Sequence, residues 1–302
     1  MTSMLEATAG RGAAVVAGRG GSPAAAAWRR LVASPAARAG LVIALAFALI
    51  ALVTPAVHVY DAKTDANLTL RLKPPMAGHP FGTDSLGRDI LVRVLHATRV
   101  SLGLAVSAVA VATVIGSTLG FLAGYFRRQV DLVVMFCMDI VLAFPATLLA
   151  IAIVAMIGPG LRNSLFAISL VSIPAYARLS RGAVLALREQ EFVLAAQGLG
   201  CSGRRLLLSH IVPNSLPPLI VQTTLSVAFA ILEAAALGFL GLGAQPPTPE
   251  WGAMLADSYK YFTSGAWWVF CFPGAAIMLS VLGFNLLGDG LRDALDPRLG
   301  RG

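Results

Sequence analysis

The feature that most constrains this chain is a series of long runs without charge. Between Ala39 and Tyr60 no Asp, Glu, Lys or Arg occurs, and the same holds from Val100 to Phe126. About 20 apolar residues in a helix cross the roughly 30 Å of bilayer hydrocarbon, so each run is long enough to span. Further runs extend from Leu132 to Ile157 around the single acid Asp139, and from Ser215 to Leu242 around Glu233. Another covers Ala266–Leu287, and a short one, Asn163–Ala177, holds Pro174 between Arg162 and Arg178. The expectation is an all-α polytopic membrane helical bundle of six transmembrane helices, the fourth being the weakest. Composition agrees: of 302 residues 57% are hydrophobic and only 13% charged, about half the charge of a water-soluble domain.

The net charge of +8 fits basic cytoplasmic loops, and no nucleic-acid partner is expected. With the N-terminus inside, the inner segments hold 15 basic residues and the outer ones 8. The short loops decide the matter, with Arg127 and Arg128 on one side and Arg162 alone in the third loop. Both termini are therefore expected in the cytoplasm of a cell whose inner membrane the chain crosses. The stretch "AAAAWRRLVASPAARA" reads either as an interfacial helix or as part of a disordered basic tail. Its length and the spanning run after it argue against a cleaved signal peptide. Cys137, Cys201 and Cys271 have no paired spacing and the four histidines are scattered, so no disulfide framework and no metal site are indicated.

Gly116, Gly120 and Gly124 recur every four residues, which predicts a smooth strip on one helix face for close helix packing. Asp139 and Glu233 are the only acids inside the spans. Such groups face a bundle interior or a watery cavity, so they are candidates for lining a translocation path; a pairing that holds helices together is the other reading.

The polar segment Arg188–Asn214 interrupts this pattern. Phe192, Ala195, Ala196 and Leu199 fall at i, i+3, i+4 and i+7, one shallow apolar face. Gly198 and Gly200 break that helix, Arg204 opens a second that reaches His210, and Pro213 is expected to end it. Two readings fit these residues: a docking element on the cytoplasmic surface, or an ordinary positive-inside loop with helical edges.

The spacing Ala195-Ala196, three residues, Gly200, nine residues, His210-Ile211-Val212-Pro213 resembles the EAA loop of permease subunits of ABC importers. The family pattern is Glu-Ala-Ala, three residues, Gly, nine residues, Ile-x-Leu-Pro; here Leu194 stands for the Glu, His210 for the Ile and Val212 for the Leu. Three further stretches, "HPFGTDSLGRDILVRVLHATRVSL", "GFLGLGAQPPTPEWGAML" and "AWWVFCFPGAAIMLSVLGFNLLGDGLRDALDPRL", are similar to the second permease subunit of dipeptide and oligopeptide importers. The likeness is read from Ala39 to Leu299. It implies a type I ABC importer permease fold with a cytoplasmic coupling helix. Glu191, Phe192, Ala195, Ala196, Gly198, Gly200, Arg204 and Pro213 would form the loop that docks an ATPase. The implied partners are a second related permease subunit in a heterodimer, two ABC ATPase subunits, an extracytoplasmic substrate-binding protein and a peptide substrate, with lipid around the spans. ATP and Mg would be bound by the ATPase subunits, with no cofactor in this chain.

In "FGTDSLGRD", Thr83, Asp84 or Ser85 would cap a helix lying on the outer surface, with Arg88, Arg93, His96 and Arg99 on its polar side. In "GAQPPTPEWGAML" three prolines impose a stiff loop, with Trp251 available at the interface. Asp84, Arg88, Pro247 and Trp251 are thus candidate contacts for the binding protein, against a purely structural role in anchoring and capping the bundle. The organisation expected is a tail over 1–38, a first helix and outer loop over 39–97, a core over 98–290 with the loop at 188–214, and a tail over 291–302.

No G-x-x-x-x-G-K-[ST] occurs, so the chain has no Walker A loop and is not expected to be an enzyme. An ion-gradient-driven secondary transporter is the alternative. It would need internal repeats or more intramembrane polar groups. A membrane enzyme would need an H-E-x-x-H, a G-x-S-x-G or paired aspartates in the spans, and none is present.

Overall fold

The computed structural model describes residues 23–61 and 65–296. The expected tail residues 1–22 and 297–302 lie outside them. Among the described residues every regular element is a helix, apart from two isolated bridges between Val57 and Ile90. In chain order these are α1 (Pro23–Ala33), α2 (Pro35–Val57), α3 (Ile90–Phe126), α4 (Arg128–Leu142), α5 (Ala146–Ile157) and α6 (Leu161–Arg188). They are followed by α7 (Glu191–Gly198), α8 (Gly203–Phe239), α9 (Trp251–Tyr259) and α10 (Trp268–Leu295).

The stretch around Trp28 is helical. Ser34 then separates α1 from α2: its hydroxyl accepts from the Ala37 amide, and Pro35 occupies the first turn, where a missing N–H costs nothing. Trp28 is exposed while Leu31 is buried against Ala37 and Ala294, so α1 lies over the end of α10.

Among the described residues four helices are long and apolar enough to cross a membrane: α2, α3, α8 and α10; α4 and α5 together make a fifth if they form one span. α6 is not short, as expected from Asn163–Ala177, but 28 residues long, about 42 Å. The apolar run understates it because Arg162, Arg178, Arg181 and Arg188 lie on the same helix. The third run is not one straight helix either. α4 and α5 meet at 87° across Ala143–Pro145. Pro145 has no N–H to continue the ladder, and its ring biases Phe144 away from helical backbone.

The 37 residues of α3 overturn the expectation of a separate surface helix at its start. The segment from Ile90 is the first part of α3 itself, with Ile90 and Val94 buried. Its cap is Asp89, which accepts from the Val92 amide at 3.1 Å, rather than Thr83, Asp84 or Ser85. Pro213 likewise ends nothing: α8 runs through it. A π-helical turn at Leu206–Ile211 precedes the proline, and a widened turn absorbs the clash of a proline ring with the carbonyl behind it. Asn214 Nδ2 and Ser215 Oγ donate to the carbonyls of His210 and Ile211.

The glycine strip packs as its spacing predicts. A methyl on Gly116 would stand 2.6 Å from the Ile173 carbonyl oxygen, and one on Gly124 2.8 Å from Val184 Cβ. α3 and α6 therefore touch backbone to backbone. Much of the main core lies along α3, among Ala105, Ala108, Ala112, Ile168, Tyr176 and Ile231.

Candidate functional site

The segment after α6 folds on a small core of its own. Val184, Val193, Leu206 and Ile211 are buried together, with Ala196, Cys201 and Leu207 packed against them. Arg188 ties it to the end of α3: Nη1 donates to the Tyr125 carbonyl at 2.6 Å, and the guanidinium lies 5.4 Å from the Tyr125 ring centre. α7 starts at Glu191 and stops after Gly198. The Cys201 amide then bonds to Ala196 O and the Gly200 amide to Gln197 O, a Schellman closure. Gly200 takes φ +82°, a backbone conformation that glycine adopts without penalty.

The side of α7 away from this core is apolar and exposed. Phe192 is 45% exposed, Leu194 53% and Leu199 90%, with Ala195 exposed between them. Of the face expected at Phe192, Ala195, Ala196 and Leu199, only Ala196 turns partly inward. Arg204 and Pro213 are exposed at the rim. α7 is thus a helix anchored through buried Val193 and half-buried Ala196, with its apolar face left uncovered by this chain.

The end formed by the loop between α2 and α3 and the start of α9 is built the other way. Asp84 Oδ2 accepts from Arg88 Nε at 2.7 Å and from Arg93 Nη1 at 2.5 Å, while Oδ1 accepts from the amides of Leu86 and Arg88. All three side chains are nearly buried. Asp84 and Arg88 therefore spend their charges on each other, inside the fold. The Thr83 hydroxyl donates to the Leu70 carbonyl, and Trp268 Nε1 donates to Thr83 O at 3.1 Å. Trp251 is fully buried rather than available at the interface; its Nε1 donates to Val94 O and its ring packs edge-on against Phe47. Of these four positions only Pro247 is exposed.

Sequence reasoning missed Glu250, which is buried and caps α9. Oε1 accepts from the Gly252 amide and from Ser101 Oγ at 3.0 Å, and Oε2 from the Ala253 amide. Burial pushes this carboxyl above the usual carboxylate range, against hydrogen bonds that pull it down. A glutamate is an uncommon N-cap, so its position before "WGAML" carried no clear signal.

Asp139 and Glu233 are not brought together. Asp139 on α4 accepts from Arg178 Nη2 on α6 at 2.6 Å, and both side chains are more than half exposed. Glu233 is buried in α8, where Oε1 accepts from the Thr147 hydroxyl at 2.6 Å. A second pair, Asp131 with Arg181, also bridges α4 and α6.

Residues 116–301 match the family described as the binding-protein-dependent transport system inner membrane component. Residues 22–75 match the N-terminal transmembrane domain of oligopeptide transport permease C, so the likeness begins before Ala39 and takes in α1. A dipeptide transport system permease protein of Alkalihalophilus pseudofirmus is 50% identical, covering 92% of this chain and 91% of that one. A di/tripeptide transport system permease protein of Pseudomonas aeruginosa is 48% identical, over 90% and 91%. A probable D,D-dipeptide permease protein of Escherichia coli is 46% identical, over 88% and 89%. Among solved structures, an inward-facing methionine ABC transporter chain matches with TM-score 0.56 at 17% identity, covering 68% of this chain and 98% of that one, a likeness of fold alone. Nothing in the fold or in these relatives supports the gradient-driven carrier. With its apolar helices, this multi-pass membrane protein belongs to the family of binding-protein-dependent transport system inner membrane components, the permease subunits of ABC importers.

Proposed function

We propose that this chain is one of two related permease subunits of an ATP-driven importer that carries dipeptides, or short oligopeptides, into the cytoplasm. The observation that carries the reading is the uncovered apolar face of α7, held on a small core of its own and facing away from the chain. A helix with Phe192, Ala195 and Leu199 outward is shaped for a groove in another protein. That protein is an ATPase subunit, of which the complex holds two, and ATP and Mg are bound there. The dipeptide substrate is inferred from the names of relatives at 46–50% identity.

In this reading α7 and both termini lie in the cytoplasm, in keeping with the arginine-rich inner loops. ATP binding at the partner biases the equilibrium between inward- and outward-facing packings through α7. An extracytoplasmic binding protein delivers the peptide to the outer end, where Pro247 offers exposed surface and the Asp84 network holds the loop before α3.

The test is uptake of a labelled dipeptide by vesicles holding the assembled complex, with and without ATP and the binding protein. Accumulation is expected only with both, and the purified chain alone should hydrolyse no ATP. Accumulation driven by an ion gradient without ATP would overturn the reading.

A further inference from the structure

We infer that the end of α2, one side of α3 and the start of α6 form a binding site for an anionic phospholipid. The phosphate lies in a basic cavity and one acyl chain in the apolar groove that adjoins it. This goes beyond the transport proposed above and needs only that the chain is a multi-pass membrane protein.

The cavity measures about 640 Å³, and its polar lining is His58 and Tyr60 after α2, His96, Arg99 and Ser107 on α3, and Arg162 on α6. No acid lines it among the described residues; Asp65 lines the neighbouring cavity instead. Neither Arg99 nor Arg162 makes an ion pair among the described residues. Two further groups are unsatisfied. The Tyr60 hydroxyl and His96 Nε2 are shut off from solvent and have no hydrogen-bond partner among the described residues. The His96 ring is held between its neighbours, 5.5 Å from Tyr60 and 5.7 Å from His58. A buried polar group without a partner destabilises a fold, and a ligand that supplies the partner removes that penalty. Two guanidinium groups with a phenol hydroxyl beside them select an oxyanion, either carboxylate or phosphate.

The groove separates these two. It measures about 340 Å³ between α2 and α3, and His58 and His96 line both it and the cavity. Leu49, Val53 and Val57 form its α2 wall, with Val92 and Leu95 opposite. Its one hydroxyl, on Thr54, already donates to Ile50 O at 2.7 Å. On α3, Val92, His96, Arg99, Gly103 and Ser107 follow at steps of four, three, four and four, so one stripe of that helix runs from the groove into the cavity. From Leu49 to Val57 the groove follows α2 for eight residues, about 12 Å at 1.5 Å per residue.

An extended dipeptide is at most about 7 Å long, so it could fill the cavity but not cavity and groove together. A ligand with an anionic head and a long apolar tail matches both. α2 is also the least covered of the four long apolar helices, and Leu49, Val53 and Val57 are exposed on it. Basic pockets between membrane helices hold anionic headgroups for the same reason: fixed charge meets the phosphate while the helix faces meet the tail. With no carboxylate in the cavity to receive an amine, phosphatidylglycerol is favoured over lipids whose headgroup carries its own cation.

The test is native mass spectrometry of the purified chain in detergent, titrated with phosphatidylglycerol or with phosphatidylcholine of the same acyl chains. One phosphatidylglycerol per chain should bind and should stay on the assembled complex, with phosphatidylcholine, of zero net charge, roughly fivefold weaker. Arg99→Gln and Arg162→Gln should each weaken phosphatidylglycerol roughly fivefold and together roughly thirtyfold, the effect of one basic side chain at an anionic headgroup taken once or twice. Both side chains are exposed, so the melting midpoint without lipid should hardly change. Val53→Trp fills the groove, leaves both arginines in place, and should also weaken the lipid. Arg71→Gln with Lys73→Gln removes the same charge from exposed positions in the loop between α2 and α3, and should leave binding unchanged. Equal binding of the two lipids, an equal loss in the Arg71 and Lys73 variant, or no loss in Val53→Trp would overturn the site. Displacement of the lipid by Ala-Ala would give the cavity to the peptide, and loss of the lipid on assembly would give the groove to the second permease subunit. Either result ends the lipid assignment.

Discussion

The two ends of this bundle solve opposite problems. At the end formed by the loop before α3, Asp84, Arg88 and Arg93 close a buried charge network, Trp251 and Trp268 each find a carbonyl, and Glu250 satisfies the first turn of α9. At the other end α7 is held by one fully buried side chain, Val193, and leaves Phe192, Leu194 and Leu199 to solvent. One end is complete within the chain, while the other leaves apolar surface that the chain does not cover. Substitutions should therefore act on folding at the first and on coupling at the second.

The largest effect on folding is expected from Asp84→Ala. It leaves two guanidinium groups nearly buried without their shared carboxylate. Breaking a buried pair this way costs about 3–5 kcal/mol. Thermal unfolding of the purified chain in detergent should show a large fall in midpoint or no recoverable protein. A midpoint near that of the parent would mean that the outer network is not what holds the loop. Next comes Gly120→Val, where the new side chain meets the Ala177 carbonyl oxygen first and then Ser180 Cβ, 2.8 Å from a first carbon, and pushes α3 off α6. Overpacking of this kind costs about 1–3 kcal/mol, and the same melt would report it. Gly200→Val should cost about 1–2 kcal/mol, since nothing crowds the site and only the positive φ resists. Its effect should instead appear as ATP hydrolysis that no longer tracks uptake, because the turn sets the angle of α7.

Much of the bundle was legible in the sequence, and the exceptions have physical causes. Hydropathy finds apolar runs, so it located α2, α3, α8 and α10 but shortened α6, whose arginines lie on the same helix as its apolar face. It also joined α4 to α5, because a single proline does not lower an apolar average although it turns the chain by 87°. The glycine strip was readable because its four-residue period is a property of one helix. The Asp84 network was not: its members lie four and nine residues apart in a loop whose path no periodicity describes. Reading Arg88 and Arg93 as a polar face assumed that charge seeks solvent, and here one carboxylate makes burial affordable. For the loop Arg188–Asn214 the spacing of Ala195, Ala196 and Gly200 placed the helix and its turn, whereas Ala196 turns partly inward and Pro213 does not end the helix that follows.

The sharpest form of the comparison is the double substitution Phe192→Ala with Leu199→Ala. Both side chains are exposed, and neither belongs to the core of Val184, Val193, Leu206 and Ile211. Removing exposed groups changes folding by no more than about 0.5 kcal/mol, so the melting midpoint of the chain alone should hardly move, the smallest effect in this series. In the assembled complex the same groups would lie in the ATPase, where burying a side chain of this size contributes about 1.5–3 kcal/mol. The double variant should therefore bind the ATPase subunits at least tenfold more weakly, measured by co-purification at graded concentration. Val193→Ala makes the counterpart. It should lower the melting midpoint by opening a cavity beneath α7, and would weaken assembly only through that loss. If the exposed pair destabilised the chain as much as Val193→Ala, α7 would be part of the core and not a surface kept free for another subunit.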